Sequence, residues 1–381
     1  MKAIRLSAQP EKRTRSNRAS ATWKHPLVSL EQLAKPEPGP RDLLLKTAYC
    51  GICGSDFHLS EPGPDSAILY PGLLELPVTL GHEFSALVAG YGSAITDEEK
   101  KLFPLNSPLT AEEMLWCGEC ATCRTGNVNH CENLEELGFT RDGAQAEFLS
   151  VGIQYCWSLG TIEKSLGRDN ALRAGALVEP YAVAYRALFQ GAQRAEWNPE
   201  KTLLIYGAGP IGLACLDTAI AAGVGKAVIV EPVAERRTLA KKMGAHACFS
   251  GQENNLGEKI LSATQKSIDW IIDAAGTTNE VISIAEKVLA VGGSICLLAR
   301  AEGRGSLDAE FLITKNARIF GSQGHSGEAT FGQVIKLMAE NKIHPLSLLD
   351  KVVDFQEATQ RLNQHARSPG KLLLKPHGDA L

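Results

Sequence analysis

Four thiols fall inside one short segment: Cys117-Gly-Glu-Cys120-Ala-Thr-Cys123, then Cys131, with gaps of two, two and seven residues. Thiolates this close can converge on one tetrahedral ion, and four protein sulfurs leave no position open to a reacting molecule. The segment therefore reads as a structural zinc lobe rather than a place where chemistry occurs. Iron–sulfur clusters use similar ligands, but here the fourth cysteine follows a longer gap and precedes Glu132 rather than proline. Four unliganded thiols in a short polar loop would oxidise readily, which disfavours a metal-free reading.

A second set of metal-competent side chains is dispersed. Cys50-Gly-Ile-Cys53-Gly-Ser55-Asp56-Phe-His58 and Gly81-His82-Glu83 offer a thiolate, an imidazole and a carboxylate, and Leu177-Val-Glu179-Pro180 supplies a further carboxylate. Three protein ligands with one open position polarise a bound hydroxyl and lower its pKa. Their separation in sequence means that spacing alone does not bring them together. Taken singly, His82 also fits an ordinary satisfied histidine and Cys53 a small buried hydrophobe.

The third signal is Gly207-Ala-Gly209-Pro210-Ile211-Gly212, which follows the apolar run Thr202–Tyr206 and opens a helical stretch. In that context the first glycine permits a tight turn, the second lets backbone approach a pyrophosphate, and the third lets helix pack on strand. Backbone N–H groups at the helix start then face phosphate. Glu231 lies 19 residues beyond Gly212, at the end of the next apolar run. There its carboxylate can accept ribose hydroxyls and repel a 2′-phosphate, which favours NAD over NADP. Arg236 and Arg237 pull the other way, since a guanidinium stacks on adenine or binds phosphate.

These groups need a scaffold of two kinds. From Lys201 onward short apolar runs at 202–206, 227–230, 247–249, 268–273 and 294–299 alternate with helical stretches, the pattern of a parallel doubly wound sheet. The earlier residues are rich in glycine, proline and short β-type runs such as Leu43-Leu-Leu-Lys-Thr47, which suits an antiparallel, partly barrel-like domain. Residues 328–340 read as a helix and Lys371-Leu-Leu-Leu-Lys375 as a closing strand that returns to the first domain. The expected division is 1–181 plus 321–381 for the zinc-bearing domain and 182–320 for the nucleotide domain. The polar stretch Glu11 to Ala21 reads as a solvated loop.

Composition fits an enzyme of the cytoplasm. The chain has 381 residues, 44% of them hydrophobic, enough for a large core. A net charge of −4 gives nucleic acid or an anionic membrane no electrostatic handle. The N-terminus, Met1-Lys-Ala-Ile-Arg, lacks a signal-peptide core, and no long apolar run suggests a membrane span. Of ten cysteines, four belong to the lobe, and Cys156, Cys215, Cys248 and Cys296 read as packing residues.

The order of these motifs resembles the zinc-dependent medium-chain alcohol and polyol dehydrogenases over essentially the whole chain. The resemblance rests on Cys50 to His58, Gly81-His-Glu83, the four-cysteine segment, Leu177-Val-Glu-Pro180 and Gly207 to Gly212. It implies an α/β chain with a GroES-like, mainly antiparallel catalytic domain and a Rossmann domain. It further implies NAD, a structural zinc on Cys117, Cys120, Cys123 and Cys131, and a catalytic zinc on Cys53, His82 and either Glu83 or Glu179. Glutamate at 179 is similar to the polyol, glucose and threonine dehydrogenase branches rather than the alcohol type. Ser55 passing a proton toward His58, and Asp56 orienting a ligand, are the supporting roles.

Within that family the likeness runs to cyclitol dehydrogenases acting on scyllo-inosose. It is carried by Leu69-Tyr-Pro-Gly72, Pro77 to Phe84, Ala111 to Cys117, Asn129 to Asn133 and Gly321-Ser-Gln-Gly-His-Ser-Gly327. The implied substrate is a polyol or cyclitol, and the implied assembly a homodimer or homotetramer. Gln323 and His325 are then candidate substrate or nicotinamide contacts, whereas Glu112 and Glu113 are read as helping only to cap or solvate the approach to the cysteine segment. Lys101 to Thr110 departs from the family's usual pattern. Other readings of the same motifs are a sugar, linear-polyol or threonine dehydrogenase, a dinucleotide-dependent epimerase or lyase, and a nucleotide-binding protein without catalysis.

Overall fold

The computed structural model describes residues 1–11, 23–68, 70, 72–189, 197–300, 305–327 and 329–378. Most of the polar stretch from Glu11 to Ala21 lies outside the described residues, as do Leu69 and Pro71. Two compact units emerge: Met1–Glu179 with His325–Asn341 and Leu349–Leu381, and Pro180–Gly324 with Lys342–Leu348.

The first unit is built on a seven-stranded sheet. Its path runs Cys156–Ser158, Pro108–Ala111, Glu83–Tyr91, Asp42–Ile52, Lys371–Leu374, Leu349–Val353, with Phe148–Gly152 also paired to Asp42–Ile52. All its pairings are antiparallel except that between the last two strands. A smaller sheet joins Trp23–Gln32, Lys2–Pro10 and Val78–Thr79. Leu43, Leu45, Phe84, Ala86, Val88, Leu109, Leu149, Leu372 and Leu374 fill one shared core.

The long Asp42–Ile52 strand carries two consequences for the site. Its end delivers Cys50 and then Cys53, the N-cap of the helix Gly54–Ser60. Its neighbour begins at Glu83, so Gly51 and Glu83 face each other across the ladder. A side chain on Gly51 would collide with the Glu83 carboxylate. Glycine is required there by close approach.

The divergent segment from Lys101 to Thr110 is ordinary in structure. The helix Asp97–Leu102 opens with a reciprocal cap between Thr96 and Glu99, and the chain then enters the strand Pro108–Ala111.

The second unit holds a six-stranded parallel sheet in the order Ala247–Phe249, Lys226–Val230, Thr202–Tyr206, Ile268–Asp273, Leu289–Leu297, Arg318–Gly321. That is the doubly wound order of nucleotide-binding sheets. The fifth strand begins at Leu289, five residues before the expected start, and ends at Leu297 rather than at residue 299. It passes through Gly292 at a φ of 75° with a register shift against Ile268–Asp273, and the glycine pair hides the continuity of the strand. The segment Lys342–Leu348 belongs to this unit although the residues on either side belong to the first. It is held by Asp217, whose carboxylate accepts from the Tyr181 hydroxyl and the His344 backbone N–H, each at 2.6 Å. Among the described residues, no helix is long and apolar enough to cross a membrane.

Candidate active site

The four lobe cysteines converge. Their sulfurs lie within 4.8 Å of one another, with 3.5 Å between Cys131 and Cys117 and 3.8 Å between Cys120 and Cys131. Sulfurs about 2.3 Å from a tetrahedral zinc stand about 3.8 Å apart, so the cage has the right size. Backbone N–H groups of Cys117, Cys120, Glu132 and Asn133 point at these sulfurs, as thiolates require. The hydroxyl of Thr122 and the N–H of Glu132 draw the Cys120 thiol down to about 6. No disulfide forms among the ten cysteines. Cys156, Cys215 and Cys296 are buried as packing residues, whereas Cys248 is only half-buried and donates to the Arg237 carbonyl.

Cys53, His82 and Glu83 form a second group whose ligand atoms also fall within 4.8 Å of one another. Sulfur, imidazole and carboxylate in one cluster suit zinc. The parts that aim them are local. Asp56 is fully buried and accepts from the Cys53 backbone N–H at 2.8 Å and from Gln145 Nε2 at 3.0 Å. The His82 ring packs on Phe139 with centroids 4.9 Å apart. Burial pulls His82 toward neutrality, but the adjacent Cys53 sulfur, with the Asp56 and Glu179 carboxylates, outweighs this and lifts the ring well above its usual pKa.

Ser55 Oγ lies 3.4 Å from His82 Nε2, and His58, three residues on in the same helix, is exposed. Glu83 is paired with Lys371 from the closing strand, at 2.6 Å between Oε1 and Nζ, and both side chains are 1% exposed. Lys371 escapes a sequence reading because a lysine opening an apolar strand looks like a solvated strand end.

Glu179 falls in a third group, with Glu113 and His325. His325 Nε2 stands 3.2 Å from Glu113 Oε1 and 3.7 Å from Glu179 Oε1, and all three residues are buried. Burial raises Glu179 to about 7, with the charges of His325, Glu83 and His82 also within reach. The two candidate carboxylates for a catalytic metal therefore occupy neighbouring but different clusters.

Glu112 and Glu113 do not solvate an approach; both are buried, which corrects the expectation. Glu112 accepts the indole N–H of Trp116 at 3.1 Å and of Trp157 at 3.0 Å. Glu113 reaches His325 across 212 positions of sequence, a contact that no local spacing announces. Gln323, in contrast, is exposed.

In the second unit Gly207 has a φ of 94°, and a side chain on Gly212 would run into the Gly207 carbonyl. Among the described residues other than its chain neighbours, none comes within 4 Å of where a Gly209 Cβ would stand, so the turn presents open backbone. Pro210 and Ile211 begin the helix Pro210–Ala221 behind it. These are the features that a dinucleotide phosphate needs. Glu231 is buried and accepts the N–H of Ala208 at 2.8 Å and of Val233 at 2.9 Å, with Arg236 at 4.0 Å. Its carboxylate thus braces the glycine turn. Arg237 donates to the Glu231 and Pro232 carbonyls.

Comparison with known proteins agrees with this layout. The zinc-binding dehydrogenase profile matches residues 210–340, and the alcohol dehydrogenase GroES-like domain profile matches residues 39–161. A scyllo-inosose 3-dehydrogenase of Thermotoga maritima is 38% identical over 352 residues, 91% of this chain and 88% of that protein. A protein of Aspergillus fumigatus ascribed to D-xylulose reductase A is 30% identical over 357 residues, 88% of this chain and 90% of that one. A solved Thermotoga maritima structure ascribed to an alcohol dehydrogenase superposes with a TM-score of 0.90 at 34% identity, covering 98% of this chain and 99% of that one. With its four-sulfur lobe, its Cys–His–Glu cluster and its glycine turn, the chain belongs to the zinc-binding medium-chain dehydrogenases, oxidoreductases that act on the CH–OH groups of alcohols and polyols.

Proposed function

We propose that this dehydrogenase interconverts a secondary alcohol and a ketone on a polyhydroxylated ring, of the cyclitol or inosose kind, with NAD as the hydride partner. The likeness to a scyllo-inosose 3-dehydrogenase over nine-tenths of the chain is the observation that carries the reading. The buried acid and imidazole groups beside Cys53 and His82 support it, since a hydroxylated ring brings donors and acceptors to meet them.

Cys53, His82 and one carboxylate, Glu83 or Glu179, would hold the reacting zinc, and Cys117, Cys120, Cys123 and Cys131 the structural one. Zinc in such a site acts as a Lewis acid that favours the alkoxide form of an alcohol. The chain's own residues do the remainder. Asp56 fixes the backbone at Cys53, Lys371 fixes Glu83, and Ser55 Oγ hands the hydroxyl proton toward exposed His58. Gly207, Gly209 and Gly212 with Pro210 and Ile211 would seat the pyrophosphate. Glu231 disfavours a 2′-phosphate by charge, and Arg236 is the neighbouring adenosine contact.

A linear-polyol substrate is the second reading, favoured by the likeness to a D-xylulose reductase. Following NADH absorbance with inositols, inososes, aminocyclitols, glucose, sorbitol, xylitol and threonine separates the two. Turnover of xylitol or sorbitol with none of any ring polyol refutes the cyclitol reading. NADH formed in step with substrate consumed sets a dehydrogenase apart from an epimerase. Family membership supports a homodimer or homotetramer, and sedimentation reads which. Ten free cysteines support residence in a reducing compartment such as the cytoplasm.

A further inference from the structure

Resting on the ring-polyol reading, we propose that Glu113 accepts a substrate hydroxyl other than the one being oxidised, and so selects vicinally hydroxylated rings over simple alcohols. Glu113 is 7% exposed. Its Oε1 is fixed 3.2 Å from His325 Nε2, whose own ring meets the Ser326 hydroxyl through Nδ1 at 3.3 Å. Its Oε2 is buried and, among the described residues, meets no donor. A buried carboxylate oxygen left without a donor is costly, and a substrate O–H satisfies it. The neighbouring acid cannot serve, because the two oxygens of Glu112 each accept an indole N–H, from Trp116 and Trp157.

Position supports the same role. The Glu113–His325–Glu179 cluster adjoins Cys53, His82 and Glu83, for Glu179 lies within reach of charges in both groups. A ring whose reacting carbon faced Cys53 and His82 would carry adjacent hydroxyls toward Glu113. The loop bearing His325 runs close to the cysteine lobe: Gly327 has a φ of 93°, and a side chain there would press on Val128 and the Gly126 carbonyl. His325 itself packs on Phe331. Glu113 thus meets an imidazole that is itself packed, as suits a group that reads substrate geometry.

The test compares Glu113→Ala and Glu113→Gln with wild type on an inositol and on cyclohexanol, with zinc content measured in each. Losing a contact made equally in ground and transition states raises KM and spares kcat. For the inositol, Glu113→Ala should raise KM about 10- to 100-fold, with Glu113→Gln intermediate because its amide oxygen still accepts. The KM for cyclohexanol should move far less, and zinc per chain should stay at the wild-type value. Equal losses on both alcohols, or no loss on the inositol, overturn the assignment. Loss of a metal equivalent overturns it in favour of a cation site. Should Glu113→Ala fail to fold, single-deoxy inositols on wild-type enzyme supply the same deletion from the ligand side, and an unchanged KM for every deoxy position refutes the proposal. Wild-type enzyme inert toward all cyclitols would instead refute the ring-polyol reading itself.

Discussion

Replacing Lys371 with methionine strips the countercharge from Glu83 while nearly keeping side-chain volume. Both members of the pair are 1% exposed, so the stranded carboxylate has no water to turn to. Removing one partner of a buried ion pair costs about 3–5 kcal/mol. For a domain of this size about 1 kcal/mol moves Tm by 2–4 °C, so the first unit should melt roughly 6–20 °C lower. Glu83→Gln leaves the ammonium stranded instead and should also destabilise. The double variant Lys371→Met/Glu83→Gln should recover much of the loss, with a coupling of about 2 kcal/mol or more between the sites. Urea unfolding, with hydrogen exchange read at the strands Asp42–Ile52 and Lys371–Leu374, measures the cycle. Zinc content in each variant separates the effect of the pair from any change in metal. A Lys371→Met protein within about 1 kcal/mol of wild type, or strictly additive single effects, would refute the claim that this pair is desolvated and coupled.

Three more outcomes follow from the same geometry. Cys53→Ser should lose turnover and one zinc while keeping most of its Tm; Cys120→Ser should lose the other zinc and melt lower, and metal analysis with calorimetry reads both. Glu231→Gln should reduce NAD-over-NADP selectivity and, because its carboxylate receives the Ala208 N–H, also weaken binding of both cofactors; an unchanged ratio of kcat/KM values removes the selectivity role. Burial tends to raise Asp269, but the Thr202 N–H and hydroxyl and the Lys201 ammonium outweigh it and hold the carboxylate below its ordinary 3.8. Its contribution is therefore present above that value and lost as pH falls through the lower folded pKa. Asp269→Asn should flatten the acid limb of the stability curve below about pH 4, and an identical limb would contradict the shift.

What could be read from sequence was local. The cysteine lobe and the glycine turn declare themselves because every group lies within a few residues of its partner. The parallel sheet is legible from its apolar runs, except where Gly292 and Gly293 interrupt the fifth strand and conceal its first residues. The Cys53–His82–Glu83 group needed the ladder between Asp42–Ile52 and Glu83–Tyr91 to bring it together. Long-range polar pairs left no trace. Glu113 meets His325, and Glu83 meets Lys371, only because separate strands and loops return to one place. Glu112 and Glu113, two adjacent acids, look alike in the chain, yet one braces two indoles and the other faces an imidazole.

The strand Lys371–Leu374 lies between Asp42–Ile52 and Leu349–Val353, at the interior of the larger sheet. During synthesis the ribosome delivers it after the two strands that flank it in the sheet. Until then the Cys50–Ile52 end of Asp42–Ile52 lacks one neighbour, although Phe148–Gly152 already pairs with Asp42–Lys46, and Glu83 has no ammonium beside it. The parallel sheet of the second unit, with all its strands made by residue 321, can assemble while the first unit waits. Chaperone engagement of nascent chains should accordingly concentrate on the early β-rich half and end only as the final strand docks.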